Sequence, residues 1–267
     1  MLPLMFFGQT AEDYKNQGNA KADSSDFEGS ILDYTKAIEL NSEFADAYFN
    51  RGLSKAELNN YKGAILDYNK AIELNPDDSD AYYSRGFSKA ELNNHKGAIS
   101  DLNKVLELNP DDYDALFQRG ISKYELNDYQ GAINDFTFVL TLTGSSEDSI
   151  ELYNNLGVVN DDLKDYKSSV YYYTKALELD PNNFEVYNNR AYSKYELNDY
   201  AGTILDFNKF IELNPEASLS TPNTNISYAY YYIAISKEFL GIPYCADFEK
   251  SCELGYKFAC KRFKKCD

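Results

Sequence analysis

Apolar and small residues recur at helical spacing along most of this chain, and the pattern itself repeats every 34 residues. Two adjacent copies, 45–78 and 79–112, match at most positions. In the first copy, two apolar stretches of helical period flank the polar pair Asn59-Asn60, which suits a short turn between helices. Pro76, near the end of that copy, cannot continue a helix interior. Each copy is therefore predicted to form two antiparallel helices, and the fixed period indicates a repeat array.

One set of positions defines the register of the repeat. Counting Ala45 as position 1, the bulky, small, aromatic and proline positions 4, 8, 20, 24, 27 and 32 are Tyr48, Gly52, Ala64, Tyr68, Ala71 and Pro76. This pattern resembles the tetratricopeptide repeat family. The resemblance implies an all-α fold, a right-handed α-solenoid (superhelix) of about seven antiparallel helix pairs with a C-terminal capping helix. It also implies a protein or peptide partner.

The same register divides much of the chain into six repeats, numbered 1 to 6 from the N-terminus. They span 11–44, 45–78, 79–112, 113–146, 150–183 and 184–217. Repeat 4 lacks the closing proline, and three further residues follow it, so we expect a joint or a change of superhelix pitch there. Residues 218–226 are polar and predict a loop. A divergent seventh repeat with a Cys-containing capping helix is predicted over 227–267.

The two ends of the chain bear on where the protein resides. Residues 1–10 are either a lead-in to the first helix or the remnant of an export signal, because an apolar run precedes a polar boundary. Export would favour disulfides among Cys245, Cys252, Cys260 and Cys266, whereas a cytoplasmic protein would keep them as buried thiols. If the last two helices pack antiparallel, Cys252 faces Cys260 and Cys245 faces Cys266.

The chain is strongly acidic, with 26 Lys and Arg against 43 Asp and Glu and a net charge of −17. This charge repels phosphate groups, which argues against nucleic acids and anionic membrane surfaces as main partners. The apolar run Leu2–Phe7 is too short for a membrane helix. We therefore expect no nucleic-acid partner and no direct insertion into a membrane.

Nothing in the sequence points to catalysis. No P-loop, dinucleotide-binding fingerprint or nucleophile elbow is present, so no cofactor is predicted. The cysteines form no C-x-x-C pair, which argues against a zinc site. His95 is the only histidine and stands where other repeats carry an aromatic residue, so we interpret it as a packing residue. The protein is predicted not to be an enzyme and to have no catalytic or metal-binding residues.

In the family that the repeats resemble, the first helices line a concave groove, and positions 2, 5, 9 and 12 face into it. Positions 5, 9 and 12 carry the predicted groove residues Phe49, Leu53, Tyr83, Phe87, Phe117, Ile121, Tyr124, Tyr192 and Tyr195. Aromatic side chains that face solvent indicate a binding surface. The alternative is that a tight superhelix packs them against one another.

Position 2 of repeats 2 to 6 forms a ladder of acidic residues. The residues are Asp46, Asp80, Asp114, Glu151 and Glu185. In the first turn of a helix, an acidic side chain offsets the helix dipole, which explains this ladder without any partner. The functional interpretation is an acidic stripe that meets a basic partner, and both interpretations stay open at this point.

A second charged pattern sets these repeats apart from the family, whose position 7 is usually apolar. Positions 7 and 23 of four repeats carry the combinations Arg51 and Asp67, Arg85 and Asp101, Arg119 and Asp135, and Arg190 and Asp206. Repeat 5 loses both members together, with Leu156 and Tyr172 in their places. We therefore predict that each arginine pairs with the aspartate of its own repeat and ties its two helices together.

These patterns predict a non-catalytic protein–protein interaction scaffold that holds a partner segment in the aromatic groove. The alternative is a structural spacer within an envelope or multiprotein assembly, which would use the ends and the convex face of the solenoid. An enzyme has no motif in its favour. Exposed groove side chains would favour the scaffold, and mutually buried ones would favour the spacer.

Overall fold

The computed structural model describes residues 9–143, 149–214 and 224–266. Every regular element within these ranges is an α-helix, and the predicted all-α solenoid is confirmed. The helices are α1 Ala11–Asp23, α2 Phe27–Leu40, α3 Ala45–Glu57, α4 Tyr61–Leu74, α5 Ser79–Glu91, α6 His95–Leu108, α7 Tyr113–Glu125, α8 Tyr129–Thr143, α9 Ser149–Asp162, α10 Tyr166–Leu179, α11 Phe184–Glu196, α12 Tyr200–Leu213, α13 Thr224–Leu240, α14 Cys245–Glu253 and α15 Lys257–Phe263.

The chain forms two compact bodies, Met1–Val139 and Leu140–Asp267, termed the N-terminal body and the C-terminal body. In the N-terminal body, successive helices from α1 to α7 pack against one another. In the C-terminal body, α9 to α15 do the same. Each helix pair thus buries apolar surface both within itself and against its neighbour in the same body, which is how repeat arrays build a core.

The turn inside each helix pair lies where the polar pair of residues predicts it. Asn59 has a φ of 57°, in the left-handed region that asparagine tolerates better than most residues. Asn60 then caps α4, because its side-chain oxygen accepts a hydrogen bond from the backbone N–H of Gly63 at 3.1 Å. Asn93 and Asn94 repeat this arrangement before α6. The local sequence therefore sets where each pair bends.

The two helices of a repeat approach closely at the small residue of position 8. In repeat 2, a Cβ atom placed on Gly52 would lie 2.6 Å from Cε1 of Tyr68. In repeat 3, where Leu102 replaces the tyrosine, a Cβ atom on Gly86 would lie 3.3 Å from its nearest neighbours. The absence of a side chain is therefore required at the first crossing and much less so at the second.

We expect Gly52→Ala to lower the free energy of unfolding by about 1–3 kcal/mol, because the ring of Tyr68 is fully buried and would have to shift. Gly86→Ala should leave the free energy of unfolding unchanged or raise it by up to about 1 kcal/mol, because alanine has the higher helix propensity. Chemical denaturation of both variants beside the parent protein measures the difference. Equal effects of the two substitutions would contradict the close-approach argument.

Helix α13 begins earlier than the sequence predicts. Because it starts at Thr224, the predicted loop over 218–226 is wrong for its last part, and 218–223 lie outside the described residues. The apolar face of α13 explains the early start, since Ile226 is buried together with Phe207 and Phe210 of α12. Burial of this face outweighs the polar character of the residues around it.

Two disulfides lie at the end of the C-terminal body. Cys245 pairs with Cys266, and Cys252 pairs with Cys260, with Cα–Cα distances of 5.9 and 4.7 Å. Gly255, with a φ of 97°, turns the chain between α14 and α15. This nested pairing is the one that antiparallel packing implies. The oxidation state of the four sulfur atoms in the purified protein stays a prediction, as does the compartment.

Residues 1–8 lie outside the described ranges, and with them most of the predicted lead-in or signal remnant at 1–10. Thr10 caps α1: its hydroxyl accepts a hydrogen bond from the backbone N–H of Asp13 at 3.1 Å, and its own backbone N–H donates to the Asp13 carboxylate at 2.8 Å. Across the described part of the chain, no helix is both long enough and apolar enough to cross a membrane.

Candidate functional site

A charged clamp joins the two helices of four repeats. In repeat 2, Nε and Nη2 of Arg51 donate to the two carboxylate oxygens of Asp67 at 2.9 and 2.7 Å. Asp67 is 4% exposed, and bidentate pairing between two charged groups is strong. The same geometry joins Arg85 to Asp101, Arg119 to Asp135 and Arg190 to Asp206. The predicted arginine–aspartate pairing is confirmed in all four repeats.

Each clamp has two more members that were not predicted from the sequence. Nζ of Lys55 donates to Asp67 at 2.7 Å, and Nη1 of Arg51 donates to the hydroxyl of Thr35 in the preceding repeat at 3.0 Å. The clamp arginines of repeats 3, 4 and 6 make the same bond to an asparagine or threonine of the preceding repeat. The lysine could have been predicted from the sequence, because position 11 is lysine in all four clamped repeats. Because each arginine holds its own repeat and the one before, the clamp also fixes the spacing between repeats.

The predicted groove residues fall into two sets, one in each body. Those on α3, α5 and α7 of the N-terminal body are Phe49, Leu53, Tyr83, Phe87, Phe117, Ile121 and Tyr124. Those on α11 of the C-terminal body are Tyr192 and Tyr195. Leu53 and Tyr192 are 39% and 41% exposed, and the other seven are partly exposed. These side chains are therefore not hidden from solvent by packing on one another.

The groove rings rest on the second helices of the repeats. Phe49 contacts the buried ring of Tyr68 in its own repeat, with ring centroids 5.9 Å apart. Phe87 contacts Tyr61 of the preceding repeat edge to face, with centroids 6.5 Å apart. Such pairs orient a ring while leaving part of it accessible. The aromatic residues thus form fixed, half-exposed walls.

A cavity of about 440 Å³ lies among α3, α4 and α5 of the N-terminal body. Leu53, Tyr83 and Phe87 of the predicted groove line it, together with Glu57 and Ser88. Ser88 is fully buried, and its hydroxyl oxygen has no hydrogen-bond partner among the described residues. Burial raises the pKa of Tyr83 to about 12, so its hydroxyl keeps its proton. The cavity therefore combines apolar walls with hydroxyl groups that are able to donate.

A second cavity, of about 460 Å³, is lined by residues of α1, α2 and α3. Leu53 and Glu57 line both cavities, which therefore adjoin along α3. Asn19 in its wall accepts a hydrogen bond from the Tyr34 hydroxyl at 2.9 Å. Asp23 adds a further carboxylate, and the described residues that line the two cavities include no lysine or arginine. We call this acidic, partly aromatic pair of cavities the N-terminal groove.

The acidic ladder occupies the first turns of α3, α5, α7, α9 and α11. All five side chains are exposed. This placement agrees with the helix-dipole interpretation. Partial desolvation raises the pKa of Asp114, and the neighbouring Asp112 adds to that effect. A role of the ladder in binding a basic partner stays a prediction.

His95 is the first residue of α6, in the place that Tyr61 and Tyr129 take at the start of α4 and α8. Its side chain is partly exposed. Over the described ranges, no group of three or more His, Cys, Asp or Glu side chains is placed to hold a metal ion. The chemically distinctive features of the chain are therefore its clamps and its cavities.

Three models of known protein families match parts of this chain. A family model described as tetratricopeptide repeat matches residues 45–78 and 150–183. A second model of that description matches 67–100 and 172–203, and one described as TPR repeat matches 18–58. No curated protein matches this sequence.

Solved structures with the same helix arrangement share little sequence with this chain. The C-terminal part of a TPR repeat-containing protein from Cytophaga hutchinsonii is 18% identical, with 92% of this chain and 98% of that chain covered and a TM-score of 0.79. A tetratricopeptide repeat protein from Parabacteroides merdae is 19% identical, with 96% and 98% covered and a TM-score of 0.68. YrrB, described as a TPR protein with an unusual peptide-binding site, is 21% identical, with 68% and 93% covered and a TM-score of 0.59. By its repeats and its helix architecture, this chain belongs to the tetratricopeptide repeat family.

Proposed function

We propose that this protein is a non-catalytic scaffold that binds a segment of another protein in the N-terminal groove. The observation that carries the proposal is the pair of cavities that adjoin at Leu53, which is 39% exposed. An accessible apolar side chain between half-exposed aromatic rings is a typical anchor site for a partner. Because the clamps hold the surrounding helices in register, little ordering is needed when the partner arrives.

The chemistry of the groove favours a segment with apolar anchors and with neutral or basic polar groups. Asp23 and Glu57 contribute negative charge to the walls, and the chain as a whole has a net charge of −17. An acidic segment would therefore be repelled before contact. The Tyr83 hydroxyl in the cavity wall, which belongs to a partly exposed side chain, offers a hydrogen-bond donor to a polar group of the partner.

A structural spacer is the second candidate, and a repeated leucine favours it. Position 22 carries Leu32, Leu66 and Leu205 in repeats 1, 2 and 6, and these side chains are 64%, 70% and 68% exposed. All three lie on second helices, whereas the groove residues lie on first helices. A recurring apolar side chain on these helices would suit lateral contact within an assembly.

A leucine-to-aspartate substitution, made separately on each helix of repeat 2, distinguishes the scaffold from the spacer. A partner is first captured on the immobilised protein and identified by mass spectrometry. We expect Leu53→Asp to abolish capture of that partner, because it places a carboxylate beside Glu57 in an apolar anchor site. Leu66→Asp, the same change at a 70% exposed position of α4, should leave capture unchanged. The reverse pattern would overturn the groove proposal and support the spacer.

A further inference from the structure

A third cavity lies in the C-terminal body. Its volume is about 270 Å³, and residues of α9, α11, α12 and α13 line it. The lining includes one carboxylate, Asp161, and the three tyrosines Tyr192, Tyr228 and Tyr232. No lysine or arginine is found among the described residues that line it. Of these four residues, the sequence predicted only Tyr192 to lie at a binding surface.

Asp161 is a partly buried carboxylate held by hydroxyl groups. The Ser193 hydroxyl donates to Oδ1 at 2.7 Å, and the Tyr173 hydroxyl donates to Oδ2 at 2.8 Å. Burial raises the pKa of Asp161, although these hydroxyl donors act in the opposite direction. Among the described residues, no lysine or arginine pairs with it. Its ionised form therefore lacks the opposite charge that offsets the cost of burying a carboxylate.

The five fully buried aspartates of the described chain show how such a charge is neutralised where burial is complete. Each of the four clamp aspartates contacts both an arginine and a lysine. Asp33 of repeat 1 contacts Lys21 at 2.5 Å. Asp161 belongs to repeat 5, which has no clamp arginine. Asp161 is thus a partly buried carboxylate that faces an open cavity and contacts no lysine or arginine among the described residues.

Aromatic rings form the walls around this carboxylate. The rings of Tyr192 and Tyr232 stand at 90° with centroids 6.0 Å apart, and those of Tyr228 and Tyr232 lie at 24° with centroids 6.5 Å apart. Tyr192 and Tyr228 are each 41% exposed, so their surfaces are accessible. Burial raises the pKa of Tyr192, and the nearby Glu196 adds to that effect. Electron-rich ring faces in a negative field attract cations.

We propose that this cavity binds an arginine side chain of a partner protein, with Asp161 as its counter-ion and Tyr192, Tyr228 and Tyr232 as its walls. A guanidinium group is planar, stacks on aromatic rings and is weakly hydrated, which suits a site that is partly desolvated. It would supply Asp161 with the positive charge that each of the five fully buried aspartates of the described chain already has. The site belongs to the C-terminal body and does not depend on the N-terminal groove.

A purely structural role for Asp161 explains its two hydrogen bonds but not its charge. The hydroxyls of Ser193 and Tyr173 bond to different oxygens of Asp161. An asparagine could bond to both without a buried charge, because its oxygen would accept from one hydroxyl and its amide N–H would donate to the other. A carboxylate in this place costs folding free energy, because burial raises its pKa. Charge kept at the edge of an open cavity is typical of a binding site.

The test uses two blocked tripeptides, acetyl-Gly-Arg-Gly-amide and the same peptide with citrulline, which has nearly the shape of arginine but no charge. Titration into the full-length protein, followed by NMR, measures both affinities. We expect the arginine peptide to bind at least about tenfold more tightly than the citrulline peptide. We expect Asp161→Asn to remove this preference.

The matched control is Asp162→Asn, the same change at the adjacent, exposed residue. It should alter the affinity by less than about twofold, because screening weakens the effect of exposed charges. Equal binding of the two peptides, or an unchanged preference in Asp161→Asn, would overturn the proposal. An equal loss of affinity in both aspartate variants would also overturn the proposal, because it would show that only the net negative charge of the protein attracts the arginine peptide. Tyr192→Ala at a 41% exposed position is a second variant, expected to weaken arginine binding even where Asp161→Asn fails to fold.

Discussion

Phe87→Ala combined with Phe117→Ala is expected to abolish partner capture while leaving the helical content nearly unchanged. Phe87 lines the cavity that Leu53 also lines. Phe117 is a predicted groove residue on α7, the first helix of the next repeat. Truncation of a central aromatic anchor typically costs about 2–4 kcal/mol of binding free energy. Two such losses lower the affinity by about a thousandfold or more.

The interpretation of this double variant depends on a measurement of folding. Phe117 packs against the buried ring of Phe136, with centroids 5.7 Å apart, so its truncation also removes an internal contact. Circular dichroism and thermal unfolding therefore accompany the capture assay. Tyr113→Ala is the matched control, because Tyr113 is a 53% exposed aromatic residue on the same helix as Phe117. A folded double variant that captures the partner as well as the parent protein would show that binding occurs elsewhere.

Asp101→Asn is expected to lower the free energy of unfolding by about 3–5 kcal/mol. Asp101 is 3% exposed and binds both Arg85 and Lys89 at 2.7 Å. The variant leaves these two cations partly buried without an opposite charge, and it replaces one acceptor oxygen of a bidentate pair by a donor. Because Arg85 also bonds to Asn69 of the preceding repeat, the loss should extend across the repeat boundary.

Glu107→Gln is the control for the clamp variant. It breaks an ion pair with Lys104 on the same helix, but the Glu107 side chain is 68% exposed. Exposed pairs of this kind contribute less than about 1 kcal/mol, so the variant should unfold at nearly the same denaturant concentration as the parent protein. If Asp101→Asn is no more destabilising than Glu107→Gln, the clamp does not hold the helix pair together.

The groove and the clamps are linked through the first helices. Arg51 of the clamp and Leu53 of the groove lie two positions apart on α3, so they point to different sides of the helix. One side is tied to the second helices by charge, and the other is left to line the cavities. A binding surface on such a frame is formed before the partner arrives, which reduces the ordering cost of association.

The sequence alone determined the features that repeat within 34 residues. The helix pairs followed from apolar spacing, and the turns followed from residues such as Asn59, because both depend on local backbone preferences. The arginine–aspartate pairing also followed, since its two members lie 16 residues apart within one helix pair and disappear together in repeat 5. These predictions needed no knowledge of how repeats stack.

Contacts between repeats were decided only by the tertiary structure. The bond from Arg51 to Thr35 and the two cavities that share Leu53 depend on the distance between neighbouring helix pairs. Asp161 occupies position 12, where the sequence analysis selected only apolar and aromatic residues, and its partner Ser193 lies 32 residues away. The early start of α13 was likewise set by burial against α12. Local patterns specify each repeat, whereas side-chain environments between repeats arise from packing over distances that no local pattern encodes.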